Sequence, residues 1–425
     1  MPQFFPFRGL LFNPNKVALQ DVVAPPYDVI NPEKQNELYE RDEYNCVKID
    51  FAREDNRYTI SQERFQDWLK NEILLTDAAP AFYLLEQHFT VNFSSYTRFG
   101  IIGLCKLEEL NVHSSIRRHE RTYSKPKEDR LQLMNATNAQ FSQVFSLFSD
   151  ATFLTDEHCL ALASTNPIAD FEFENIHHRL WRMSDPNFHR QATEKFSLLE
   201  LVIADGHHRY ETALAYQELQ KKDNPQHTGN EGYNYVLMYA SNMLNSGVTI
   251  LPTHRVVFSL PQPFAITLST LEKYFRVKHY FSLKKLLEGM RRFKHLSFGV
   301  AIKDTPSLWL LQMKDERVLR ELLKDVSADL QRLDVTVLHR LIFEQLLKIP
   351  LEQQQQRSVI DYENDGFTAY NTFLSGNTDA VFFMNSPTVD QVFNVGICGS
   401  TMPQKSTYFY PKLPTGTVFF DTQQF

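Results

Sequence analysis

Hydrophobic and polar positions follow two different periods along this chain. Apolar residues recur at intervals of three and four in some segments, which predicts amphipathic helices. These helical segments are 33–41, 61–69, 131–143, 267–274, 283–293 and 335–347. Short apolar or alternating runs predict strands. The predicted strands lie within 81–85, 98–105, 171–183, 196–204, 235–239, 248–252, 296–302, 309–313, 380–384 and 392–398.

The order of these elements predicts a mixed α+β fold, with helices and strands interleaved. The pattern changes near residue 255, since helices and strands alternate more regularly beyond it. We therefore expect one domain over 1–255 and an α+β domain over 256–425. The pattern leaves open whether the second segment is separate or completes the sheet of the first.

Composition and charge narrow the class of protein. Hydrophobic residues make up 43% of the 425 residues, enough for substantial cores, and the formal net charge is −7. That charge disfavours nucleic acid and anionic membranes as partners. No apolar run reaches the length of a membrane span, and four scattered cysteines lack metal or redox spacing. These features predict a cytoplasmic protein without a membrane partner.

The strongest chemical signal is Asp205-Gly206-His207-His208-Arg209, which follows the predicted strand 196–204. Apolar residues resume at helical spacing directly afterwards, so a strand turns into a helix here. Glycine permits the bend, and the unpaired first-turn N–H groups of a helix attract anions. Arg209 adds a fork suited to phosphate, and both histidines can donate hydrogen bonds.

Asp205 ends the predicted strand, where it could ligate Mg²⁺, orient a histidine or accept a proton. The alternative is an ordinary Asp-Gly turn whose histidines and arginine are solvated. Adjacent histidines diverge by about 100° on a helix, so His207 and His208 imply no shared metal.

A second candidate is the basic segment 116–130, with six Lys or Arg against three acids. His119 and Glu120 form a potential acid/base pair. Three cations of the same segment are available for phosphates, namely Lys125, Lys127 and Arg130. Charge runs are more often a solvated surface, and that alternative stays open.

Three other motifs give weaker signals. Asp28 follows a stiff Pro-Pro-Tyr segment, which suits either a general base or a cap for the next helix. Segment 399–407 combines hydroxyl side chains with Lys405, a composition typical of phosphate-binding loops. Arg255 ends a Thr-His-Arg motif. The chain contains no Walker loop and none of the motifs G-x-G-x-x-G, G-x-S-x-G and H-E-x-x-H.

Six separated motifs together resemble the bacterial and archaeal family called domain of unknown function 1015. They occur in one order and span nearly the whole chain: 24–30, 119–120, 127–130, 178–181, 204–210 and 402–408. The name of this family does not indicate an activity.

A local resemblance says more about chemistry. Asp205–Arg209 is similar to the phosphate-gripping motif of the ParB, sulfiredoxin and free-serine-kinase superfamily. This resemblance implies a ParB/sulfiredoxin-like phosphate-binding core with long insertions, followed by the C-terminal α+β region. It also implies phosphoryl transfer between a nucleotide, ADP or ATP, and serine or phosphoserine, with Mg²⁺ as the metal.

The resemblance assigns roles to residues of this chain. Gly206, His207, His208 and Arg209 would hold phosphate, and Lys125, Lys127, Arg130 and Lys405 would add positive charge. Asp205 would ligate Mg²⁺ or contact the hydroxyl. Asp28 is the candidate general base, with Glu33 and Glu120 as rivals, and His119 and His208 complete the catalytic candidates.

Two other functions stay open at this point. The chain could be a non-catalytic, ParB-like nucleotide-binding or regulatory protein. It could also be a metal-dependent phosphatase or hydrolase that uses Asp205, His207 and His208. The sequence leaves open whether the chain forms a homo-oligomer.

Overall fold

The computed structural model describes residues 1–111, 113–120, 125–152, 154–293, 295–305 and 307–423. The side chains of residues 125, 126, 154–156, 264 and 265 lie outside this description. The chain forms two compact units. Unit 1 consists of Met1–Arg118, Thr122–Thr249 and Pro411–Phe425, and unit 2 of His119–Arg121 and Ile250–Tyr410. Both units combine helices with sheets, which confirms the predicted mixed α+β class.

Unit 1 contains the first twelve strands and the first eight helices of the described chain. The strands are β1 (Phe4–Phe5), β2 (Leu10–Phe12), β3 (Leu74–Thr76), β4 (Phe82–Val91), β5 (Ser94–Lys106), β6 (Ile116–Arg118), β7 (Ala139–Gln140), β8 (Val144–Phe148), β9 (Ala169–Phe173), β10 (Ile176–Met183), β11 (Leu201–Asp205) and β12 (Tyr235–Asn242). The helices are α1 (Leu19–Val22), α2 (Pro32–Arg41), α3 (Val47–Asp50), α4 (Arg57–Lys70), α5 (Lys125–Thr137), α6 (Leu154–Ala163), α7 (Pro186–Phe196) and α8 (His207–Asp223).

Most strands of unit 1 form one nine-stranded sheet in the order β6-β11-β8-β12-β5-β4-β10-β9, with β1 paired to β5. The register of this sheet places the C-terminal end of β11 next to β8, which in turn lies next to β12. Asp205 pairs with Phe145 on β8, and Phe145 pairs with Tyr239 on β12. A register shift between Ile203 and Asp205 marks a bulge, which re-aims the last side chain of the strand.

Unit 2 and the C-terminal strand contain the remaining elements. The strands are β13 (Thr249–Leu251), β14 (His254–Val257), β15 (Phe275–Tyr280), β16 (Ser297–Ile302), β17 (Leu308–Met313), β18 (Ile360–Glu363), β19 (Ala380–Phe383), β20 (Tyr408–Tyr410) and, in unit 1, β21 (Phe420–Asp421). The helices are α9 (Phe264–Leu271), α10 (Leu283–Met290), α11 (Leu319–Leu322), α12 (Ala328–Gln331), α13 (Asp334–Thr336), a π helix (Val337–Leu346), α14 (Leu351–Gln354), α15 (Gly366–Leu374) and α16 (Val389–Ile397).

The sheet of unit 2 has six strands in the order β15-β17-β16-β19-β14-β18. Helices α10 and α15 supply apolar side chains to the core beside it, among them Leu286, Met290 and Ala369. The segment 335–347, predicted as an amphipathic helix, contains the π helix, and its apolar face is buried. π-Helical turns are rare in proteins, and those that occur are often found at functional sites.

The units differ from the predicted domains 1–255 and 256–425 at three places. The change from unit 1 to unit 2 lies between Thr249 and Ile250, and residues 411–425 belong to unit 1. Phe419 is fully buried in the core of unit 1, and β21 pairs with β7 there. His119 and Glu120 belong to unit 2, where they pair with Met402.

Two local predictions are wrong. Residues 392–398, predicted as a strand, lie mostly in α16, where a capping box between Thr388 and Gln391 starts the helix. Val392 and Val395 are buried three positions apart, a helical spacing that a short apolar run conceals. The run of four glutamines at 353–356 is polar and predicts a solvated loop, but Gln354 ends α14 and is buried.

Within the described ranges, no helix combines the length and apolarity needed to cross a membrane.

Candidate functional site

The turn between β11 and α8 has the geometry of an anion site. Strand β11 is buried up to Ala204, and Gly206 adopts φ 86° and ψ 27°, the left-handed region that favours glycine. Tyr210 donates its N–H to the Gly206 carbonyl at 3.0 Å, so α8 begins immediately. The N-cap residue, Gly206, has no side chain with which to cap the helix, so the first-turn N–H groups can face an anion.

Asp205 is held between two cations at this turn. Its Oδ1 accepts from Lys412 Nζ at 2.6 Å and its Oδ2 from Arg209 Nη2 at 2.7 Å. Arg209 also donates to the backbone carbonyl of Gln143. Burial alone would raise the pKa of Asp205, but Lys412 and Arg209 outweigh it and hold that pKa well below its ordinary value. Asp205 is therefore ionised and paired through both oxygens.

Arg98 adds a third cation to the environment of Asp205. It is fully buried on β5, where it donates to Gln87 and, at 2.6 Å, to the carbonyl of Pro411. Burial lowers the pKa of Arg98, while the charge of Asp205 opposes that shift. Arginine stays protonated in proteins, so one carboxylate faces three cations here.

A pocket of about 50 Å³ opens beside Arg209 in unit 1. Its polar wall comprises Tyr27, Asp50, Arg130, Arg209 and Thr212, and its apolar wall includes Leu133, Met134, Phe141 and Val236. The Thr212 hydroxyl is buried and makes no hydrogen bond within the described residues. The pocket therefore has a charged end, formed by arginines and a carboxylate, and an apolar interior.

Arg130 organises that charged end. Its guanidinium donates to the backbone carbonyl of Asp50 at 2.6 Å and to the Asp50 carboxylate at 3.2 Å, and it lies 4.3 Å from the Tyr27 ring centroid. Burial raises the pKa of Asp50, and Arg130 and Arg209 counteract it. Burial also raises the pKa of Tyr27 to about 12, so its phenol stays protonated at neutral pH.

The structure brings most of the predicted residues together in unit 1. His207 is buried and His208 half-buried in the first turn of α8. Lys127, on α5, forms an ion pair with Glu211, on α8. Asp28 is exposed in the 3₁₀ turn Tyr27–Val29, close enough to influence the pKa of Asp50. The side chain of Lys125 lies outside the described residues.

His119, Glu120 and Lys405 form a second group, in unit 2. His119 Nε2 lies 3.0 Å from Thr407 Oγ1, and Glu120 Oε1 accepts from the Lys405 N–H at 2.9 Å. The Met402 N–H donates to the His119 carbonyl at 2.7 Å. The structure thus separates the sequence-predicted residues into two groups, each within its own unit.

Three residues of the unit 1 site were missed by sequence reasoning, namely Arg98, Asp50 and Lys412. Asp50 had a usable signal, because it is a carboxylate among the apolar residues of 46–52. Arg98 is a charged residue in a predicted strand, which indicates either a side chain on the protein surface or a buried side chain with a polar partner. Lys412 carried no signal, since its contact with Asp205 spans 207 positions.

The described residues do not offer a preformed metal site. No three His, Cys, Asp or Glu side chains in that part of the chain cluster closely enough to hold an ion. Asp205, the predicted ligand of Mg²⁺, does not fit that role in this arrangement, because two cations already occupy its oxygens.

Comparison with known proteins places the chain in a family. The family model described as Protein of unknown function (DUF1015) matches residues 4–336. Among curated proteins, none matches the chain.

Several solved structures resemble the chain over most of its length. A conserved hypothetical protein from Pyrococcus furiosus is 13% identical with a TM-score of 0.34, covering 71% of this chain and 90% of that one. A mutant of free serine kinase in complex with ADP is 12% identical with a TM-score of 0.37, covering 73% and 89%. SbnI with a C-terminal truncation, from Staphylococcus aureus, is 12% identical with a TM-score of 0.33, covering 74% and 85%. At these scores the likeness carries no argument about the site.

Proposed function

The chain belongs to the family Protein of unknown function (DUF1015), and we propose from its own site that it is a nucleotide-dependent phosphotransferase. The turn Gly206–Arg209 would hold a phosphate group of ADP or ATP. The acceptor or donor would be a small hydroxyl compound, with serine or phosphoserine as the first pair to test. The motif resemblance at Asp205–Arg209 suggests this chemistry.

The observation that carries the proposal is the charge balance at the start of α8. Asp205 pairs with Arg209 and Lys412, and Arg98 acts on it electrostatically, so these four groups together carry a net positive charge. A helix N-terminus with glycine as its N-cap adds its dipole and its N–H groups to the same position. Positioning and charge neutralisation provide most of the rate enhancement in phosphoryl transfer.

The neighbouring pocket suits the second substrate. Arg209 belongs both to the turn and to the pocket wall, so a phosphate bound at the turn would lie at the pocket's edge. A pocket of about 50 Å³ admits a molecule of few atoms and excludes a second nucleoside. The proposal therefore assigns the nucleotide phosphate to the turn and the small hydroxyl compound to the pocket.

Asp28 is the proposed proton acceptor. In the forward step the hydroxyl oxygen would bond to the terminal phosphorus of the nucleotide while the bond to the bridging oxygen breaks. The hydroxyl proton would pass to the Asp28 carboxylate, and ADP leaves from ATP, or AMP from ADP. No step is assigned to Mg²⁺ held by Asp205, because Asp205 does not fit that role. The need for Mg²⁺ is a separate question for the assay.

Phosphorus NMR of the purified full chain tests this function. The chain is incubated with ATP or ADP and serine, and in the reverse direction with phosphoserine and AMP or ADP, with and without Mg²⁺. A phosphoserine or nucleotide product that Arg209→Ala reduces at least 100-fold would support the proposal. Arg190→Ala, an exposed arginine on α7, is the matched control.

Other outcomes would replace the proposal with an alternative. Tight nucleotide binding without a product would indicate a nucleotide-binding or regulatory protein. Release of inorganic phosphate from phosphoserine without any nucleotide would indicate a phosphatase. Equal turnover by Arg209→Ala and the unmodified chain would remove the turn from the mechanism.

A further inference from the structure

Arg255 in unit 2 is a buried cation that has no carboxylate partner among the described residues. It lies on β14, a strand with neighbours on both sides in the sheet, and only 1% of its surface is exposed. It donates to the carbonyl of Thr253, to the carbonyl of Lys405 at 3.2 Å and to His339 Nε2 at 3.2 Å. All three acceptors are uncharged, whereas buried charges in proteins are ordinarily paired.

The state of His339 follows from its second partner. His339 Nδ1 lies 2.6 Å from Gln354 Oε1, and the Gln354 amide nitrogen donates to the carbonyls of Ile349 and His339. That assignment makes Gln354 Oε1 an acceptor, so Nδ1 carries the hydrogen and Nε2 presents a lone pair to Arg255. Burial and the Arg255 charge lower the pKa of His339 to about 3.

His339 therefore orients Arg255 without changing its charge. Burial lowers the pKa of Arg255 to about 10, so the guanidinium is still protonated at neutral pH. The ring of Tyr362, 5.4 Å away, covers one face of the guanidinium. Glu120 acts on Arg255 electrostatically without forming an ion pair with it in the described structure.

Arg255 has donors left for a ligand. A guanidinium has five N–H groups, and three of them are used in the described contacts. This count leaves one N–H on each terminal nitrogen without an acceptor among the described residues, and guanidinium N–H groups bind the oxygens of phosphates and carboxylates.

A cleft with a mixed lining includes Arg255 in its wall. Its polar residues are Thr253, Arg255, Asp334, Asn385, Ser386, Gln391 and Ser406, and its apolar residues are Leu333, Val335, Met384 and Pro387. Its volume of about 20 Å³ has room for one or two water-sized groups, which suits the oxygens of an end group and excludes a nucleoside. Lys405, adjacent to Ser406, is exposed on the same loop and adds a second cation nearby.

We propose that unit 2 carries an oxyanion-binding site of its own, anchored by Arg255, which takes the phosphate or carboxylate end group of a small molecule. Asp334 is the opposing charge in this site. Its Oδ1 accepts from the Leu296 N–H at 2.6 Å, and its Oδ2 has no partner in the described structure. An anion in the cleft is repelled by ionised Asp334, so neutralising that residue strengthens binding. This site is independent of the proposed turn in unit 1.

Calorimetric titration of the full chain tests the site with phosphate, sulfate and acetate at pH 8 and constant ionic strength, with chloride as the reference anion. The unmodified chain is titrated first, and the unit 2 variants are then measured in an Arg209→Ala background, which removes the unit 1 turn. We expect that background to retain one site, and Arg255→Gln to weaken it at least 10-fold. Arg292→Gln, an exposed arginine of unit 2, should leave it unchanged. The preference between phosphate and acetate identifies the end group.

Asp334→Asn provides a second test that does not depend on Arg255 variants folding. It should tighten oxyanion binding at least twofold at pH 8. No oxyanion binding in the Arg209→Ala background, or unchanged affinity in both Arg255→Gln and Asp334→Asn, would overturn the proposal. If instead the unit 1 turn does not bind phosphate, the unmodified chain and the Arg209→Ala variant will bind phosphate equally.

Discussion

Lys412 and Asp205 are 207 positions apart in the sequence and are joined by an ion pair of 2.6 Å. Lys412 lies in the C-terminal segment, whereas Asp205 ends β11, the second strand from one edge of the unit 1 sheet. Arg209 pairs with the other oxygen of the same carboxylate. The C-terminal segment thus contributes directly to the charge of the α8 turn.

Lys412→Met removes one of the two cations that hold Asp205. We expect the free energy of unfolding at pH 7 to fall by about 1–3 kcal/mol, because a partly buried charged hydrogen bond is lost while Arg209 still pairs with the carboxylate. Urea denaturation measures the change. Lys222→Met, an exposed lysine on α8, is the control and should change stability by less than about 0.5 kcal/mol.

The pH dependence of that loss has a definite sign. The folded-state pKa of Asp205 is depressed, so its ion pairs stabilise the chain above the ordinary carboxylate pKa and lose that effect in acid. The difference between Lys412→Met and the unmodified chain should therefore shrink as the pH falls below about 4. A difference that grows in acid would contradict the ion-pair account.

Gly206→Ala tests whether the turn itself binds phosphate. Gly206 has φ 86°, and an added Cβ would lie 2.9 Å from Arg209 Nε. The left-handed conformation costs about 1–2 kcal/mol with alanine, and the methyl group would also displace the guanidinium. Gly229→Ala is the matched control, since Gly229 has φ 90° and open space around it.

Both glycine variants should lose stability in a thermal unfolding experiment, Gly206→Ala the more because its methyl group also displaces Arg209. Only Gly206→Ala should weaken nucleotide binding, by at least 10-fold in a calorimetric titration. Equal affinity in the two variants would place the nucleotide elsewhere.

Arg130→Met tests the coupling at the charged end of the pocket. It leaves Asp50 buried without its direct partner, so we expect a loss of about 3–5 kcal/mol in the free energy of unfolding at pH 7. Adding Asp50→Asn should restore part of that loss, because the unpaired charge is removed. A double-mutant cycle by chemical denaturation measures the coupling, and simple additivity of the two changes would show that the residues act independently.

Asp334→Asn tests the buried carboxyl group of unit 2. Burial raises the pKa of Asp334 to about 7, so the folded chain binds its proton more strongly than the unfolded chain does. Its contribution to stability therefore falls as pH rises from about 4 to about 7. At pH 8 the variant should be more stable than the unmodified chain by about 1–3 kcal/mol, and the difference should vanish near pH 4. Asp329→Asn, at an exposed position, should show neither effect.

The α8 turn was predictable because its cause is local. A buried apolar run, a glycine and an apolar set at helical spacing follow one another directly between 201 and 214. The same reasoning predicted α2, where Asn31 caps the helix by accepting from the Lys34 N–H at 2.8 Å and proline follows it. Local rules of capping and backbone conformation act within a few residues, so sequence alone expresses them.

The partners of the turn were not predictable, because they depend on the fold of the whole unit. Arg98 and Lys412 are ordinary charged residues in the sequence, and only the sheet register and the return of the C-terminal segment bring them to Asp205. The polar sequence around His178 predicts a position on the surface of a strand, but the fold buries His178 against Phe171. The predicted strand at 392–398 failed because a short apolar run fits either period.

The central claim is that the start of α8 binds a nucleotide phosphate, and a crystal structure of the full chain grown with ADP tests it most directly. The account predicts a phosphate whose oxygens accept hydrogen bonds from the first-turn N–H groups of α8 and from the guanidinium of Arg209. ADP bound with its phosphates away from Gly206–Arg209 would contradict the claim, as would crystals at millimolar ADP in which no nucleotide is bound.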